Sequence, residues 1–184
     1  KRLKVGELSN NLPQYKSAGA AFVICVDFWR LQLACERHGT SIVADTAENV
    51  LLGCADAAIF AERLAIVAET MGYSICYIGG VRSAITDIDE LLDLPEYTFP
   101  LFGLTIGKAQ TNLTGLEKPR LPIRAVLHEN SYDKNEQKKA LDEYDAITHD
   151  YYANRAANTR DSTWSKDMAA QCCQFSRPFI KAFL

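Results

Sequence analysis

The feature that most constrains the fold is a long apolar helix, which we predict over residues 44–71. Its apolar side chains recur at the three- and four-residue spacing of a helix, and Gly72 follows as a left-handed stop. Alanines and Gly53 keep this helix thin, so other elements can approach it closely. Asp56 and Arg63 interrupt it, which makes it too polar for a membrane span. We expect the helix at the centre of the domain or at the seam of a dimer.

Shorter apolar runs alternate with helical patterns along the rest of the chain. The run Ala20 to Val26 is continuous, which is typical of a central strand covered on both faces. Further strands are predicted over 73–78, 98–106 and 124–128, helices over 85–92, over 135–155 and from Ser165 onward, and loops over 107–116 and 156–163. Pro100 predicts an irregularity in its strand. The alternation indicates an α/β or α+β architecture in a single domain, 1–184.

Charge and cysteine usage exclude several classes of partner. The formal net charge of -3 and the pI of about 5.6 give no basic face for the phosphates of nucleic acid. No secretory signal is predicted at the start of the sequence. The cysteines lack the Cys-x-x-Cys spacing of zinc or redox sites, and Cys25, Cys54 and Cys76 lie in apolar runs. We therefore expect reduced cysteines and a cytoplasmic protein that binds neither nucleic acid nor membrane.

Two segments carry residues suited to an anionic planar ligand. In Tyr77–Arg82 an apolar run breaks into Gly79 and Gly80 and ends at a cation, which places bare backbone beside positive charge. In the second segment, prolines hold an extended chain in which Lys118 and Arg120 project to the same side. The alternative is purely structural, namely a tight turn with glycine at positive φ and two exposed cations. The residues alone leave both interpretations open.

Hydrolytic, metal and dinucleotide-fold chemistry have little support in the sequence. No Gly-x-Ser-x-Gly elbow is present, and the single Gly79-Gly80 pair is not the Gly-x-Gly-x-x-Gly of a Rossmann unit. His38, His128 and His149 are scattered, so no metal site is predicted. No catalytic side chain is expected either. This is consistent with flavin chemistry, in which the cofactor carries the reactive atom.

An ordered series of motifs makes the chain similar to a known family. The motifs are Tyr77-Ile78-Gly79-Gly80-Val81-Arg82, Leu94-Pro95-Glu96-Tyr97-Thr98-Phe99-Pro100-Leu101-Phe102-Gly103-Leu104, Lys118-Pro119-Arg120-Leu121-Pro122, His128-Glu129-Asn130-Ser131-Tyr132, Tyr144-Asp145, Tyr151-Tyr152, Thr163-Trp164-Ser165 and Ser176-Arg177-Pro178-Phe179. In order and spacing the series resembles the oxygen-insensitive NADPH nitroreductase and NADPH-flavin oxidoreductase family over nearly the whole chain. The resemblance implies an α+β fold, a mixed β-sheet flanked by helices, and an intertwined homodimer with active sites at the subunit interface.

The resemblance also implies FMN as cofactor and NADPH as co-substrate. The residues implied to contact FMN are Gln14, Tyr77, Ile78, Gly79, Gly80, Val81, Lys118 and Arg120. Among them, the two glycines would lie near the reactive nitrogen of the ring, and the two cations would meet the phosphate or the N1 side. Arg155 and Arg160 are implied to hold the phosphates of NADPH, and Arg82 and Arg177 to lie where the second substrate docks. The implied reaction is ping-pong, with hydride passing from NADPH through FMN to a nitroaromatic, a quinone or free flavin.

The chain departs from the family pattern at three places. The basic N-terminal segment that grips the FMN phosphate has no counterpart, so we expect the N-terminal part of the family fold to be absent from this chain. Arg160-Asp161 stands where the family often has paired arginines, and Ser83-Ala84 where it often has paired asparagines. An acid beside Arg160 weakens the local positive field, which leaves the preference between NADPH and NADH open. One alternative therefore stands beside the enzyme, a catalytically silent dimeric binding or scaffold protein that retains the fold.

Overall fold

The computed structural model describes residues 1–109, 117–156, 158–173 and 177 of the chain. These residues form two compact units, one of 1–109 with 177 and one of 117–156 with 158–173. The first unit contains α1 (Arg2–Leu8), α2 (Gln14–Ser17), β1 (Ala20–Asp27), α3 (Trp29–Arg37), α4 (Ala47–Thr70), β2 (Ser74–Ile78), α5 (Ile85–Leu92) and β3 (Thr98–Gly107), and the second contains α6 (Lys134–Asn154) and α7 (Trp164–Cys172). One domain over 1–184 stays a prediction.

The predicted long helix is α4, and its buried face is built from small residues. The buried positions are Gly53, Ala57, Ala61, Ala65 and Ala68. A Cβ at Gly53 would lie 2.5 Å from Val26 Cγ1 and 2.6 Å from Phe28 Cζ, so a side chain there would push the helix off the sheet. Gly72 follows the helix with φ +80°, as the left-handed stop requires. The thin, closely packed helix is therefore confirmed. No helix within the described ranges is long and apolar enough to cross a membrane.

The described strands form one antiparallel sheet in the order β1-β3-β2. Within that part of the chain, the prediction that β1 is central is wrong, because β1 pairs with β3 alone. Its apolar run is continuous because both faces are packed, Ile24 and Val26 on one side and Ala21 and Val23 on the other. The implied mixed sheet is also wrong for these strands. The connection between β2 and β3 returns the chain to the same end of the sheet instead of crossing it, so the pair is antiparallel.

The central strand β3 contains a bulge next to its proline. Ile24 pairs with Phe102 and Cys25 with Pro100, so Leu101 is an extra residue in β3. Proline has no N–H to donate to the ladder, which explains why regular pairing breaks here. The irregularity predicted from Pro100 is confirmed.

Helices cover both faces of this sheet. The core between the sheet and α4 contains Ile24, Val26 and Leu104 among its buried residues. On the opposite face, Ile78 packs with Ile88 and with residues of α1 and α2. The helices α1, α2 and α3 were not predicted, because none carries a long apolar stripe. α2 has four residues, and α3 buries none of its nine.

The second unit is built on α6, whose buried residues follow a four-residue spacing. They are Ala140, Tyr144, Thr148 and Tyr152, which confirms the predicted amphipathic helix. The predicted strand over 124–128 is wrong. Ile123–Ala125 is a 3-10 helix, and the Ala125 N–H donates to the Pro122 carbonyl at 2.8 Å, so the proline starts a turn and not a strand. The last predicted helix is α7, and its expected apolar positions Phe175 and Phe179 lie outside the described residues, as does most of the loop over 107–116.

Candidate functional site

The glycine segment forms the start of a 3-10 helix, Gly79–Ala84, directly after β2. Gly79 is exposed and Gly80 half-buried. The positive-φ turn considered as an alternative is wrong, because the glycines with positive φ are Gly39 and Gly72. A Cβ at Gly80 would lie 2.8 Å from the Ser9 carbonyl oxygen, whereas one at Gly79 would meet only the end of the Arg82 side chain at 3.4 Å. Gly80 therefore permits close packing inside the protein, and Gly79 presents bare backbone to solvent.

The side chains around the glycines point in different directions. Ile78 and Val81 are 1% and 0% exposed, so a ligand outside the core could reach only their backbone. The Tyr77 ring is 42% exposed, and it lies edge-on to Phe102 at 5.6 Å between ring centroids. Its hydroxyl donates to Glu62 Oε2 at 2.8 Å. Partial burial and this carboxylate raise the pKa of Tyr77 to about 12, so the phenol stays neutral.

Two arginines of the first unit lie beside the glycine segment. Arg82 Nη1 donates to the carbonyl of the bulge residue Leu101 at 2.8 Å, and Arg177 Nη2 donates to Ser83 Oγ at 3.3 Å. Burial, and then the neighbouring Arg177 charge, lower the pKa of Arg82. Like charges so close repel, and an anion between them would relieve that repulsion. The structure thus brings the two arginines together, as expected for a docking position for an anionic or electron-rich molecule.

Gln14 begins α2, next to the buried Tyr15. Its side-chain oxygen is buried and has no hydrogen-bond partner among the described residues, and the same is true of Ser9 Oγ and the Tyr15 hydroxyl. Buried polar atoms are normally paired, so an unpaired acceptor is a place where a bound donor would be stabilised. This observation is consistent with the implied role of Gln14 toward the flavin ring, which stays a prediction.

Lys118 and Arg120 lie in the second unit, in the extended segment after residue 117. Both are exposed, and Arg120 Nη1 donates back to the Lys118 carbonyl at 2.9 Å. The Tyr144 hydroxyl donates to the Pro119 carbonyl at 3.1 Å, which fixes the segment on α6. Neither cation has a carboxylate partner within the described ranges. Their positive charge is therefore available to an anion.

Arg155 and Arg160 converge on one aromatic ring. The Arg160 guanidinium lies 4.1 Å and the Arg155 guanidinium 5.0 Å from the centroid of buried Tyr152. Arg160 also pairs with Asp167, whereas Asp161 turns to His149, with 3.0 Å between Oδ1 and Nε2. The acid that offsets Arg160 is therefore Asp167 and not its sequence neighbour. Two guanidinium groups stacked on one ring give a fixed positive surface suited to phosphate.

Sequence reasoning missed Glu62 and Asp167, which orient Tyr77 and Arg160. Both contacts join separate elements, so no local spacing signals them. The stacking on Tyr152 had a signal, since Arg155 follows it by three residues at the end of a predicted helix. Within the described ranges, no group of three or more histidine, cysteine or acidic side chains could hold a metal ion.

Each unit separately offers features that fit a planar, phosphorylated group. The first has exposed backbone at Gly79, a half-exposed Tyr77 ring and the arginine pair Arg82 and Arg177. The second has unpaired cations in the segment that begins at residue 117. Neither set of features includes a strong nucleophile or an acid–base pair, so the arrangement suits a bound redox cofactor better than side-chain catalysis.

Comparison with known proteins agrees with this chemistry. The model of the nitroreductase family matches residues 2–108, and that of the nitroreductase family C-terminal domain matches residues 118–184. A CR(VI) reductase of Pseudomonas sp. (strain G-1) is 51% identical over 185 residues, which cover 100% of this chain and 75% of the relative. The FMN reductase (NADPH) of Bacillus subtilis (strain 168) is 36% identical over 188 residues, with the same coverage of 100% and 75%.

A solved structure extends the likeness to three dimensions. The NfrA1 nitroreductase from B. subtilis superposes with a TM-score of 0.88 at 35% identity, over 99% of this chain and 74% of that one. The α+β fold implied by the motifs is confirmed by this match. Both family models match, and a relative that is 51% identical aligns along the whole of this chain, so the chain belongs to the nitroreductase family.

Proposed function

We propose that this chain transfers hydride from NADPH through FMN to nitroaromatics, quinones or free flavin, by a ping-pong mechanism. The observation that supports the proposal is the alignment of the whole of this chain with relatives that are named as reductases. Membership of the family already makes the protein an NADPH-dependent oxidoreductase that uses FMN. The same relatives favour an enzyme over the silent binding protein considered above.

Residues of the first unit would hold the flavin by backbone and not by core side chains. The exposed backbone at Gly79 and the start of its 3-10 helix would approach the ring edge, and Tyr77 would flank it. Ile78 and Val81 would contribute main chain alone, because their side chains are buried. Bound FMN accepts and donates the hydride, so the chain needs only to bind the cofactor, orient the substrates and exclude water. Lys118 and Arg120 would neutralise the phosphate or the N1 side.

Arg155 and Arg160 would bind the phosphates of NADPH. Their guanidinium planes are held against Tyr152, so less freedom is lost when phosphate binds. Asp161 points to His149, and the acid that pairs with Arg160 is Asp167, so Arg155 supplies the positive charge that has no carboxylate partner among the described residues. This geometry favours NADPH over NADH as the reductant, because the extra phosphate is what two stacked cations would recognise.

The Arg82 and Arg177 pair supports an anionic acceptor among the substrates. One relative is named as a CR(VI) reductase, and chromate is a compact dianion. Two neighbouring guanidinium groups with the Ser83 hydroxyl would bind such an oxyanion next to exposed Gly79. We therefore include chromate among the acceptors that this chain would reduce.

A homodimer is the assembly that the exposed face of α4 supports. Leu52, Ile59, Phe60 and Val67 are each more than half exposed along this face, which is too much apolar surface for a solvated helix. Asp56 and Arg63 lie on the same stripe. Two copies of α4 could pack antiparallel, related by a two-fold axis that passes between positions 59 and 60. Each Asp56 would then face position 63 of the partner copy, and the apolar residues of the two helices would pack against each other. The stripe is therefore self-complementary in charge and shape.

A cytoplasmic location accompanies this proposal. All six cysteines are free, including the adjacent and exposed Cys172 and Cys173. Exposed thiols persist most readily in a reducing compartment. Labelling of these two thiols in intact cells by a membrane-permeant maleimide, and not by an impermeant one, would support this location, whereas labelling by both would contradict it.

The proposal is tested by the flavin spectrum of the purified chain. After incubation with FMN and removal of free flavin, we expect a bound-flavin absorbance that bleaches under anaerobic NADPH and returns on addition of nitrofurazone, a quinone or chromate. Bleaching by NADPH in the absence of acceptor, followed by recovery when an acceptor is added after NADP has been removed, would support the ping-pong order. Failure to retain any flavin, or a requirement for both substrates before bleaching, would contradict the cofactor role and the kinetic order respectively.

A further inference from the structure

A pocket in the first unit lies apart from the glycine segment. Its volume is about 470 Å³, within the range of roughly 300–1,000 Å³ that is usual for small-molecule sites. Three aromatic residues line it, Phe28, Tyr97 and Phe99, together with aliphatic side chains from positions 42–44 and 50. No residue of the segment Tyr77–Arg82 belongs to its lining. The pocket is therefore a separate site, with apolar side chains on part of its wall and polar groups on the rest.

The pocket walls are held in place by specific hydrogen bonds. The loop wall is tied to α3, because the Ile42 N–H donates to Gln32 Oε1 at 3.0 Å, and it is tied to α4 by Asn49, which donates to the Val43 carbonyl. On the other side, the Phe28 N–H donates to the Tyr97 carbonyl at 2.9 Å. Because hydrogen bonds hold both walls, the pocket keeps its shape without a ligand.

The backbone of Tyr97, one of the lining residues, is in an unusual conformation. Its φ is 64°, a left-handed conformation that is uncommon for a bulky aromatic residue. Glycine or asparagine would adopt it with less strain. Strain of this kind tends to occur where a side chain is held for a purpose, and here it places the ring on the pocket wall.

The charge of the lining selects the class of ligand. Asp45 is the only acidic or basic side chain among the lining residues, and no cation pairs with it within the described ranges. An aromatic body would fill the apolar walls, and a cationic nitrogen would complement the carboxylate. We propose that this pocket binds small aromatic amines in their cationic form. The inference does not rest on the flavin-dependent activity.

Tryptamine is a suitable probe, and indole-3-propionate is its anionic counterpart with the same ring. The FMN-loaded protein with ¹³C-labelled isoleucine and valine methyl groups would be titrated with each by nuclear magnetic resonance. We expect tryptamine to shift the methyl signals of Ile42, Val43 and Val50 while the flavin absorbance stays unchanged. Indole-3-propionate should bind at least about tenfold more weakly, since charge complementarity of this kind is worth about one decade in Kd.

Two variants make the assignment specific. Asp45→Asn should weaken tryptamine binding about three- to tenfold, a modest loss because the carboxylate is exposed and water screens its charge. Asp142→Asn, in the second unit, removes the same charge elsewhere and serves as the control. Tyr97→Asn keeps a residue that tolerates left-handed φ but removes the ring, so it should weaken binding without unfolding the protein. Equal binding of the two indoles, tryptamine binding that is unchanged in both variants, or methyl shifts confined to other residues would overturn the proposal.

Discussion

The Ser9 carbonyl oxygen lies directly over Gly80, so closely that a Cβ there would be 2.8 Å away. Gly80→Ala should therefore push the turn after α1 off the 3-10 helix and destabilise the protein by about 1–3 kcal/mol, as overpacking usually does. FMN affinity should fall with it, because the neighbouring backbone moves. Chemical denaturation and FMN fluorescence titration measure the two effects.

Gly79→Ala is the matched control for that change. Its Cβ would meet only the mobile end of Arg82, so we expect a change in stability of less than about 0.5 kcal/mol. Equal destabilisation by the two alanines would contradict the distinct roles assigned to the two glycines.

The Tyr15 hydroxyl occupies the space where a side chain at Gly103 would lie. A Cβ at Gly103 would overlap this hydroxyl, whereas the next ring atom, Cζ, is 3.1 Å away. Gly103→Ala should thus destabilise strongly in the natural chain and at least about 1 kcal/mol less in a Tyr15→Phe background. Tyr15→Phe alone should leave stability unchanged or raised, since the hydroxyl has no partner among the described residues. Additive effects in this double-mutant cycle, measured by urea denaturation, would show that the two positions do not meet.

Tyr77 should titrate far above an ordinary tyrosine. Partial burial and Glu62 raise its pKa to about 12, so its stabilising contribution is complete below the ordinary value of about 10 and is lost as the pH rises through about 12. Glu62→Gln should lower this pKa and shrink the alkaline loss of stability. The ultraviolet difference titration between the natural chain and Tyr77→Phe isolates this phenol. A transition centred at the ordinary tyrosine value would refute the assignment.

Charge reversal on α4 tests the proposed dimer contact. Asp56→Lys and Arg63→Glu each place like charges opposite one another, so each should weaken the dimer about tenfold. The double variant restores opposite charges and should recover most of the affinity. Sedimentation velocity over a dilution series measures this, with Glu69→Lys, off the stripe, as the control. Dimerisation that is unaffected by either single change would place the interface elsewhere.

Arg160 should determine the preference for NADPH. Arg160→Ala removes one charge-assisted phosphate contact, so the KM for NADPH should rise about tenfold and the KM for NADH less than about threefold. Direct titration with NADP, followed by tryptophan fluorescence, should show the same loss without turnover. Lys166→Ala, which removes a nearby exposed cation, is the control. Equal losses for NADPH and NADH would exclude phosphate recognition by Arg160.

Much of the first unit can be predicted from patterns in the sequence, and the predictions that are wrong have physical causes. The long helix α4, the strands β2 and β3 and the irregularity at Pro100 have strong local signals and are confirmed. The position of β1 could not be predicted, because covering both faces gives a strand the same apolar run at an edge as at the centre. Pairings between distant residues, such as Tyr77 with Glu62, leave no periodic signal at all.

The order of the three strands carries a consequence for biosynthesis. Both β1 and β2 pair only with β3 among the described strands, and β3 ends at Gly107. Until the ribosome has added β3, β1 and β2 both lack the one described strand with which each of them pairs. A nascent chain halted before β3 should therefore recruit chaperones that recognise extended apolar segments, and release them once Gly107 clears the exit tunnel.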